Sequence, residues 1–252
     1  MQSSYESLST QNVNAIMNRV AVEVGLNPTS DPFGSTEEHF VQMRYLLNTA
    51  GEELAWLYPW EILKMTHTFV TDGISDNQYA LPKDYLYMIN QTNWTESQNR
   101  PMTGPLTPQQ WVWTKNYMTG PVNVAFRKEQ GLMSVEGAAN GEEISYEYIS
   151  RNWCVIAFTP PAGKATGYTT GSEAEQGSNV PLYDRTLFSR YLKVKWLDSK
   201  GFDSGKAQDD VNQMFSALTG RDKGAPVLDA GRGSRGIRLL NAYNVPDTGF
   251  GM

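Results

Sequence analysis

Few residues of this 252-residue chain have both the type and the spacing that catalysis needs. Its two histidines, His39 and His67, fall on a predicted helix and a predicted strand, and neither has an acid–base partner at a recognisable spacing. The single cysteine, Cys154, lies in the apolar run NWCVIAF, where a thiol packs as a small hydrophobic group. Because acid–base and nucleophilic catalysis need a site of positioned groups, the sequence favours a structural role for all three.

Two glycine-containing segments match phosphate-binding loops only in part. PPAGKATG has Gly163 and Lys164 but lacks the earlier glycine and the following Ser or Thr of a P-loop. GRGSRG, residues 231–236, fits G-x-G-x-x-G, but too few residues follow Gly236 for the helix and acidic residue of a dinucleotide fold. One cysteine also excludes an intrachain disulfide and a cysteine cluster for zinc. The sequence therefore predicts no catalytic residue, no metal and no cofactor.

The composition is typical of a protein that packs against many neighbours. Charged residues make up 19% of the chain, below the roughly 25% of ordinary domains, while aromatic residues reach 12%. The formal net charge of -6 disfavours binding to nucleic acid phosphates as the main activity, since that affinity comes from Lys and Arg. The N-terminus has neither a basic start nor an apolar run, which predicts a soluble protein without a signal peptide or membrane span.

Hydrophobic periodicity predicts four helices, two in each half of the chain. In four segments apolar side chains recur every three or four residues, which is the pattern of a helix with one buried face. The first helix is predicted over residues 10–24 and the second over about 36–57. The third is expected to end at Gly201 and the fourth at Gly220.

Between these helices the pattern changes to the alternation of strands. Residues 64–158 contain short runs rich in Thr, Tyr, Val and Ile separated by glycine turns, which predict an antiparallel sheet of about five strands. Residues 159–181 are mainly Gly, Pro, Ser and Thr, which predicts a long loop or a mobile arm.

The order of these elements predicts an α+β fold, an antiparallel four-helix bundle with an inserted antiparallel β domain and an extended C-terminal arm. Residues 1–63 and 182–220 would form the two halves of the bundle, and residues 64–158 would form the inserted domain. Residues 221–252 are too poor in apolar side chains to form a core. Their GIRLLNAYNVP stretch can still dock on another protein, so we expect an arm that becomes ordered on a partner.

Four stretches of the sequence resemble the head-to-tail adaptor proteins of short-tailed bacteriophages. They are YALPKDYLYMINQTNW, RPMTGPLTPQQWVW, ISYEYISRNW and VPLYDRTLFSRYLKVKWLDSKGFD. The resemblance covers roughly residues 36–220, and the combination of LPxDY, PMTGPLTPQQW and YEYIS-NW is fairly specific.

The resemblance implies a structural virion protein at the head–tail junction, assembled in the host cytoplasm and without catalytic residues. Such adaptors form a ring of twelve subunits between the portal protein and a tail nozzle or hub protein, and DNA passes through the ring. The C-terminal arm would then bind the portal. We expect its apolar anchors to be Ile237, Leu239, Leu240 and Tyr243, and its contacts to an acidic portal surface to be Arg232, Arg235 and Arg238.

The segment PMTGPLTPQQWVW has no evident helical or strand period, and the resemblance makes it a candidate subunit or tail interface. Pro101, Pro105 and Pro108 restrict the backbone and lower the entropy lost on ordering, while Trp111 and Trp113 offer large contact areas. Alternatively, this segment is a loop that covers the sheet of its own subunit.

The main alternative for the function of the whole chain is a carbohydrate-binding or tail-spike-like module, because Trp and Tyr can stack on sugar rings. A hydrolase is the third possibility.

Overall fold

The computed structural model describes residues 12–72, 77–97, 99–117, 124–157 and 168–222. The α-helices in this part of the chain are α1 (Val13–Glu23), α2 (Glu38–Leu57), α3 (Pro108–Tyr117), α4 (Arg185–Lys200) and α5 (Gly205–Asp222), with a 3₁₀ turn at Glu61–Leu63. The strands are β1 (Lys64–Val70), β2 (Gln78–Ala80), β3 (Tyr85–Met88), β4 (Trp94–Thr95), β5 (Arg100–Pro101), β6 (Ala125–Glu129), β7 (Leu132–Glu136), β8 (Glu143–Ser150), β9 (Cys154–Ala157), β10 (Thr169–Gly171) and β11 (Val180–Pro181).

Helix α4 is the centre of the helical part of the molecule. It begins where Asp184 accepts hydrogen bonds from the N–H groups of Thr186 and Leu187, at 2.8 and 3.1 Å. It ends at Gly201, whose φ of 71° lies in the left-handed region, so the predicted end of this helix is confirmed. Helices α1, α2 and α5 all pack against α4, whereas α1 and α2 touch each other only slightly.

One side chain of α2 ties that helix to α4 through polar contacts. The carboxylate of Glu53 accepts a hydrogen bond from the hydroxyl of Tyr191 and lies 2.5 Å from the Lys195 ammonium. Burial raises the pKa of Glu53, but the hydrogen bonds from Lys195 and Tyr191 outweigh burial and lower it. The carboxylate therefore stays charged and holds the two helices in register.

The predicted four-helix bundle with an inserted β domain is wrong, although the fold is of the mixed α+β class. Helix α5 packs on α4 and buries only Val211, so it does not close a bundle. The segment that follows β8 packs into the helical core instead, where Trp153, Cys154 and Val155 are all 0% exposed. Helices and strands therefore share one core.

The strands form three antiparallel sheets instead of the single sheet that the sequence predicts. In the first sheet β1 pairs with β8 along its whole length, from Lys64 opposite Ile149 to Val70 opposite Glu143. The other edge of β8 is shared by β3 and β4, and β5 follows β4. The second sheet has the order β2-β7-β6, and the third has the order β10-β9-β11.

A second, smaller core lies between the first two sheets. Its buried side chains come from β3, β6, β7 and β8 and from the loops beside them. They are Met88, Met102, Val124, Phe126, Met133, Val135, Ile144, Tyr146 and Tyr148. The aromatic members stack on neighbours across the sheet, for example Tyr85 on Tyr148 at a centroid distance of 5.9 Å.

Part of the range predicted as a loop or mobile arm has regular structure. Strands β10 and β11 lie within residues 159–181 and pair with the two edges of β9. Ala174 and Val180 are buried in the helical core, and the side chain of Asn179 accepts hydrogen bonds from two backbone N–H groups at 2.8 Å. These contacts form because β9 offers two free edges next to the helices.

Gly51, in the middle of α2, lets Trp153 pack directly on the helix backbone. A Cβ atom at Gly51 would lie 2.2 Å from Cε2 of the Trp153 ring. The indole donates a hydrogen bond from Nε1 to the carbonyl of Ser172 at 2.6 Å, and the hydroxyl of Tyr183 donates to the carbonyl of Gly51 at 3.0 Å. This contact fastens the end of β8 to α2.

Candidate functional site

The histidines singled out for possible chemistry lie on different elements and have structural surroundings. On α2, His39 Nε2 lies 3.1 Å from a carboxylate oxygen of Glu37 at the helix start. On β1, His67 packs between Phe69 and Tyr146 at centroid distances of 5.9 and 5.4 Å. Burial lowers the pKa of His67 below its ordinary value of 6.5, and the smaller effect of the Asp84 charge raises it. Neither histidine faces a nucleophile among the described residues.

Cys154 is fully buried in β9 and is not placed to react. Burial raises the pKa of its thiol to about 12, so the thiol stays protonated at neutral pH. The described residues contain no group of His, Cys, Asp and Glu side chains that could hold a metal ion.

Asp84 has the polar contacts that come nearest to a catalytic arrangement. Its carboxylate accepts hydrogen bonds from the hydroxyl of Tyr148 at 3.0 Å and from that of Ser150 at 2.7 Å. Burial, followed by the Asp84 charge, raises the pKa of Tyr148, so this hydroxyl remains a donor. With both donors on β8, the carboxylate ties the loop before β3 to that strand.

The first part of the segment 101–113 lies against its own subunit. Pro101 is in β5 opposite Trp94, and Thr103 exchanges backbone hydrogen bonds with the start of β6, including one from the Phe126 N–H at 3.0 Å. Pro105, on a cis peptide bond, is exposed. This half of the segment therefore pairs with strands of its own subunit, and its role as a subunit or tail interface stays a prediction.

The second part of the segment is a helix, α3, that periodicity does not reveal. Thr107 Oγ1 accepts from the N–H of Gln110 at 3.3 Å, and Gln110 Oε1 accepts from the N–H of Thr107 at 3.0 Å. This is a capping box, with Pro108 at the first helical position. Trp111 faces inward and is 7% exposed, whereas Trp113 is 54% exposed. Of the two tryptophans predicted as interface residues, Trp111 is therefore buried in its own subunit and Trp113 is exposed.

Helix α2 carries a regular exposed surface, which we call the α2 stripe. It consists of Tyr45, Thr49, Glu52 and Trp56, at steps of four, three and four residues on the outward face. Tyr45 is 68% exposed and Trp56 61% exposed, one near each end of the stripe. The apolar periodicity of the sequence predicts only the inward face of this helix.

A cleft adjoins the Trp56 end of the α2 stripe, and we call it the Trp56 cleft. Its volume is about 350 Å³, and its lining is Glu52, Ala55, Trp56, Leu86, Arg151, Ser172 and Glu173. The Trp56 ring stacks on Tyr87 with a centroid distance of 5.7 Å and an interplanar angle of 24°. Two carboxylates, the Arg151 guanidinium and an exposed indole therefore line the same opening.

The outer face of the first sheet forms a third exposed surface. Trp94, which is 37% exposed, lies opposite Ser145 and so shares its face of the sheet. The hydroxyl of Ser145 donates to Glu96 at 2.7 Å, and a shallow depression lined in part by Thr66 and Glu147 lies beside it. Trp94 therefore lies beside polar and acidic side chains on this face.

The predicted portal-binding residues Arg232, Arg235, Ile237, Arg238, Leu239, Leu240 and Tyr243 lie outside the described residues. No helix of the described part is long and apolar enough to span a membrane. Comparison of the chain with models of known protein families finds no match, and comparison with curated proteins finds none either.

Proposed function

We propose that this protein is a non-enzymatic head-to-tail adaptor of a short-tailed bacteriophage. In this role it is a virion protein that forms a ring and joins the portal to the tail. The proposal rests on the exposed aromatic side chains of α2 and α3, which lie on separate elements. Contacts between two unlike surfaces run head to tail, and such contacts form a ring when the rotation between neighbours closes. An adaptor ring continues the DNA channel from the portal into the tail.

The composition of the exposed surface supports this proposal. Among the described residues, eleven large apolar side chains are exposed, including Trp56, Trp94 and Trp113. Protein interfaces are enriched in aromatic residues and poor in charge, which is also the composition of this chain. So many exposed apolar groups suit a subunit that is covered by neighbours in an assembly.

Contacts between the stretches that resemble adaptors also support it. Asp84 belongs to the LPKDY stretch, and its partners Tyr148 and Ser150 belong to the YEYISRNW stretch. The residues that carry the resemblance therefore act together in positioning the first sheet.

The test is a mass measurement by light scattering, on the chain alone and with a portal protein of a short-tailed phage. A ring of twelve copies would have about twelve times the 28.2 kDa mass of one chain, alone or on the portal. A chain that stays monomeric in both samples and binds a glycan array would overturn the proposal.

The C-terminal arm is the proposed attachment to the portal. Fully covering one of its apolar anchors would contribute on the order of 1.5 to 3 kcal/mol, and twelve arms acting together would make the attachment very stable. Deleting residues 225–252 should leave the unfolding transition of the remaining chain unchanged while assembly onto the portal fails. If the shortened chain joins the portal normally, the attachment lies elsewhere in the subunit.

A carbohydrate-binding module is the second candidate, and the outer face of the first sheet favours it. Trp94 could stack on a sugar ring, and Glu96, Glu147 and Thr66 are hydrogen-bonding groups for its hydroxyls. Quenching of tryptophan fluorescence by a glycan, lost in Trp94→Ala, would favour this candidate over the adaptor.

A further inference from the structure

We infer that residues 237–245 of this chain add as a further strand to the outer edge of β1 in the same subunit. Strand addition of this kind uses the unpaired N–H and C=O groups of an exposed sheet edge. The inference concerns the free subunit and goes beyond the adaptor proposal. Because residues 237–245 include the expected portal anchors, binding to a portal would require them to leave β1 first.

The register of β1 and β8 shows which backbone groups of β1 are unpaired. Glu147 on β8 lies opposite Thr66, and its carbonyl accepts a hydrogen bond from the Ile89 N–H at 3.0 Å, so its backbone groups turn away from β1. Directly opposite residues of an antiparallel pair either bond to each other or both turn outward, and these two kinds of pair alternate. The N–H and C=O groups of Thr66, Thr68 and Val70 therefore point to the outer edge, where no residue of the described part bonds to them.

This edge lacks the features that usually protect an exposed strand. β1 has seven residues in unbroken register, and its sequence KMTHTFV contains no proline and one charge, at its first residue. The other edge strands of the described part are shorter, since β2, β3, β5, β10 and β11 have two to four residues each. β6 has five residues, and bonds with Thr103 and Leu106 cover part of its outer edge. β1 is therefore the edge best suited to receive another strand.

Helix α5 ends beside the start of β1. Its last residue, Asp222, accepts a hydrogen bond from the N–H of Glu61 at 3.1 Å, and Glu61 begins the turn that leads directly into β1 at Lys64. The fourteen residues 223–236 can span about 46–50 Å when extended, which is about twice the roughly 23 Å length of β1. Residues 237–245 can therefore reach the whole edge in either direction.

The run IRLLNAYNV, residues 237–245, has the pattern of a strand. It is the longest stretch without glycine or proline after Asp222, and Gly236 and Pro246 bound it. Alternation would place Arg238 on one face of such a strand. The opposite face would be mainly apolar and would contain Ile237, Leu239, Asn241, Tyr243 and Val245.

The two faces of β1 match the two faces of this run. Phe69 packs against the second core, and Met65, on the same face of β1, is 45% exposed. The apolar face of the run would cover Met65 and extend this core. Thr66 lies on the other face beside Glu147, so Arg238 would lie on the side that carries a carboxylate. Because the run is tethered to the same chain, its effective concentration at the edge is high, and modest pairing energy is enough.

Hydrogen exchange measured by mass spectrometry with residue-level fragmentation tests this pairing. In the full chain the outward amides of Thr66 and Thr68 should exchange at least about tenfold more slowly than unprotected amides. Leu239→Asp should remove this protection, because it places a charge on the apolar face of the run. Leu228→Asp makes the same change outside the run and should leave the protection in place. The amide of His67 turns toward β8 and shows in each variant whether β1 and β8 remain paired.

A peptide tests whether the run itself is the occupant. In a chain that lacks residues 225–252, the Thr66 amide should exchange at the unprotected rate. The peptide GIRLLNAYNVP, added at about 1 mM to match the effective concentration of a tethered segment, should restore the protection. The same peptide with Leu239→Asp is the control and should not restore it.

Three results would overturn the inference. The first is fast exchange of the outward β1 amides in the full chain while the inward amide of His67 stays protected. The second is protection that survives Leu239→Asp or that the wild-type peptide does not restore. The third is protection that disappears on dilution, because it would assign the edge to a second copy instead of the same chain. None of these results decides the adaptor proposal, which the mass measurement with a portal protein tests separately.

Discussion

Replacement of Gly51 by alanine should destabilise the protein, although the same change stabilises most helices. In an exposed helix interior Gly→Ala contributes about 1 kcal/mol to stability, because alanine loses less backbone entropy on folding. At Gly51 the added methyl group would lie 2.2, 2.4 and 2.6 Å from three carbon atoms of the Trp153 ring. All three distances are too short for carbon atoms in contact, so the ring or the helix must move.

The surroundings of Trp153 oppose such a movement. The Trp153 ring is 0% exposed, stacks on Tyr183, packs against Phe188 at a tilt, and donates a hydrogen bond to the carbonyl of Ser172 at 2.6 Å. Overpacking of a tight core costs about 1–3 kcal/mol or more, and loss of the Ser172 bond would add about 1 kcal/mol. Against the helix gain of about 1 kcal/mol, the net loss is about 2 kcal/mol, or about 4–8 °C in Tm.

Urea unfolding followed by tryptophan fluorescence, with a thermal scan, measures this effect. Gly220→Ala is the matched control, since Gly220 lies in α5 with no atom within 4 Å of its added Cβ, and it should be neutral or slightly stabilising. A smaller ring in Gly51→Ala/Trp153→Phe should recover part of the stability that the single variant loses. If Gly51→Ala is as stable as wild type or more stable, the packing argument is refuted.

Three other properties can be measured. His67→Phe should reduce the loss of stability on acidification, because burial lowers the pKa of His67 in the folded protein below its ordinary value of 6.5. As the pH drops from 6.5 toward this lower pKa, the unfolded chain binds the proton first, so the stability of the wild type falls. Thermal unfolding of both proteins across this pH range measures the difference. Cys154, with a pKa raised to about 12, should resist iodoacetamide in the folded protein and react after unfolding in urea; labelling of the native protein at the rate of an exposed thiol would disprove this. Finally, the chain should bind duplex DNA weakly in fluorescence anisotropy, because a lumen built from subunits of charge -6 should be neutral or acidic; tight, salt-sensitive binding would contradict the expected lumen.

The four long helices were predictable because each turns a stripe of apolar side chains at helical spacing toward the core, although Val211 is the only fully buried member on α5. Their packing was not, since the order of elements does not show which surfaces meet. The run NWCVIAF reads as one more strand of a β domain, yet Trp153 and Cys154 complete the core between α2 and α4. Only the three-dimensional positions of Gly51 and Trp153 show that strands and helices share this core.

Helix α3 and the α2 stripe mark the limits of periodicity at the candidate site. On α3 the buried Trp111 and Thr114 are too few to form an apolar pattern, but the Thr107–Gln110 capping box is visible in the sequence and predicts a helix start. On α2 the outward residues follow the same helical period as the inward ones, so their shared face was predictable. Their place beside a cleft was not, because residues distant in sequence line it.

The central position of α4 determines when this chain can fold during its synthesis. Tyr183 bonds to Gly51 across 132 residues, and Tyr191 bonds to Glu53 across 138. At about 5–20 residues per second, the apolar faces of α1 and α2 leave the ribosome on the order of ten seconds before α4 exists to cover them. The hairpin of β6 and β7 needs only neighbouring residues and can form during that interval. The nascent chain therefore passes through a long stage in which the apolar faces of two helices are uncovered and prone to aggregate.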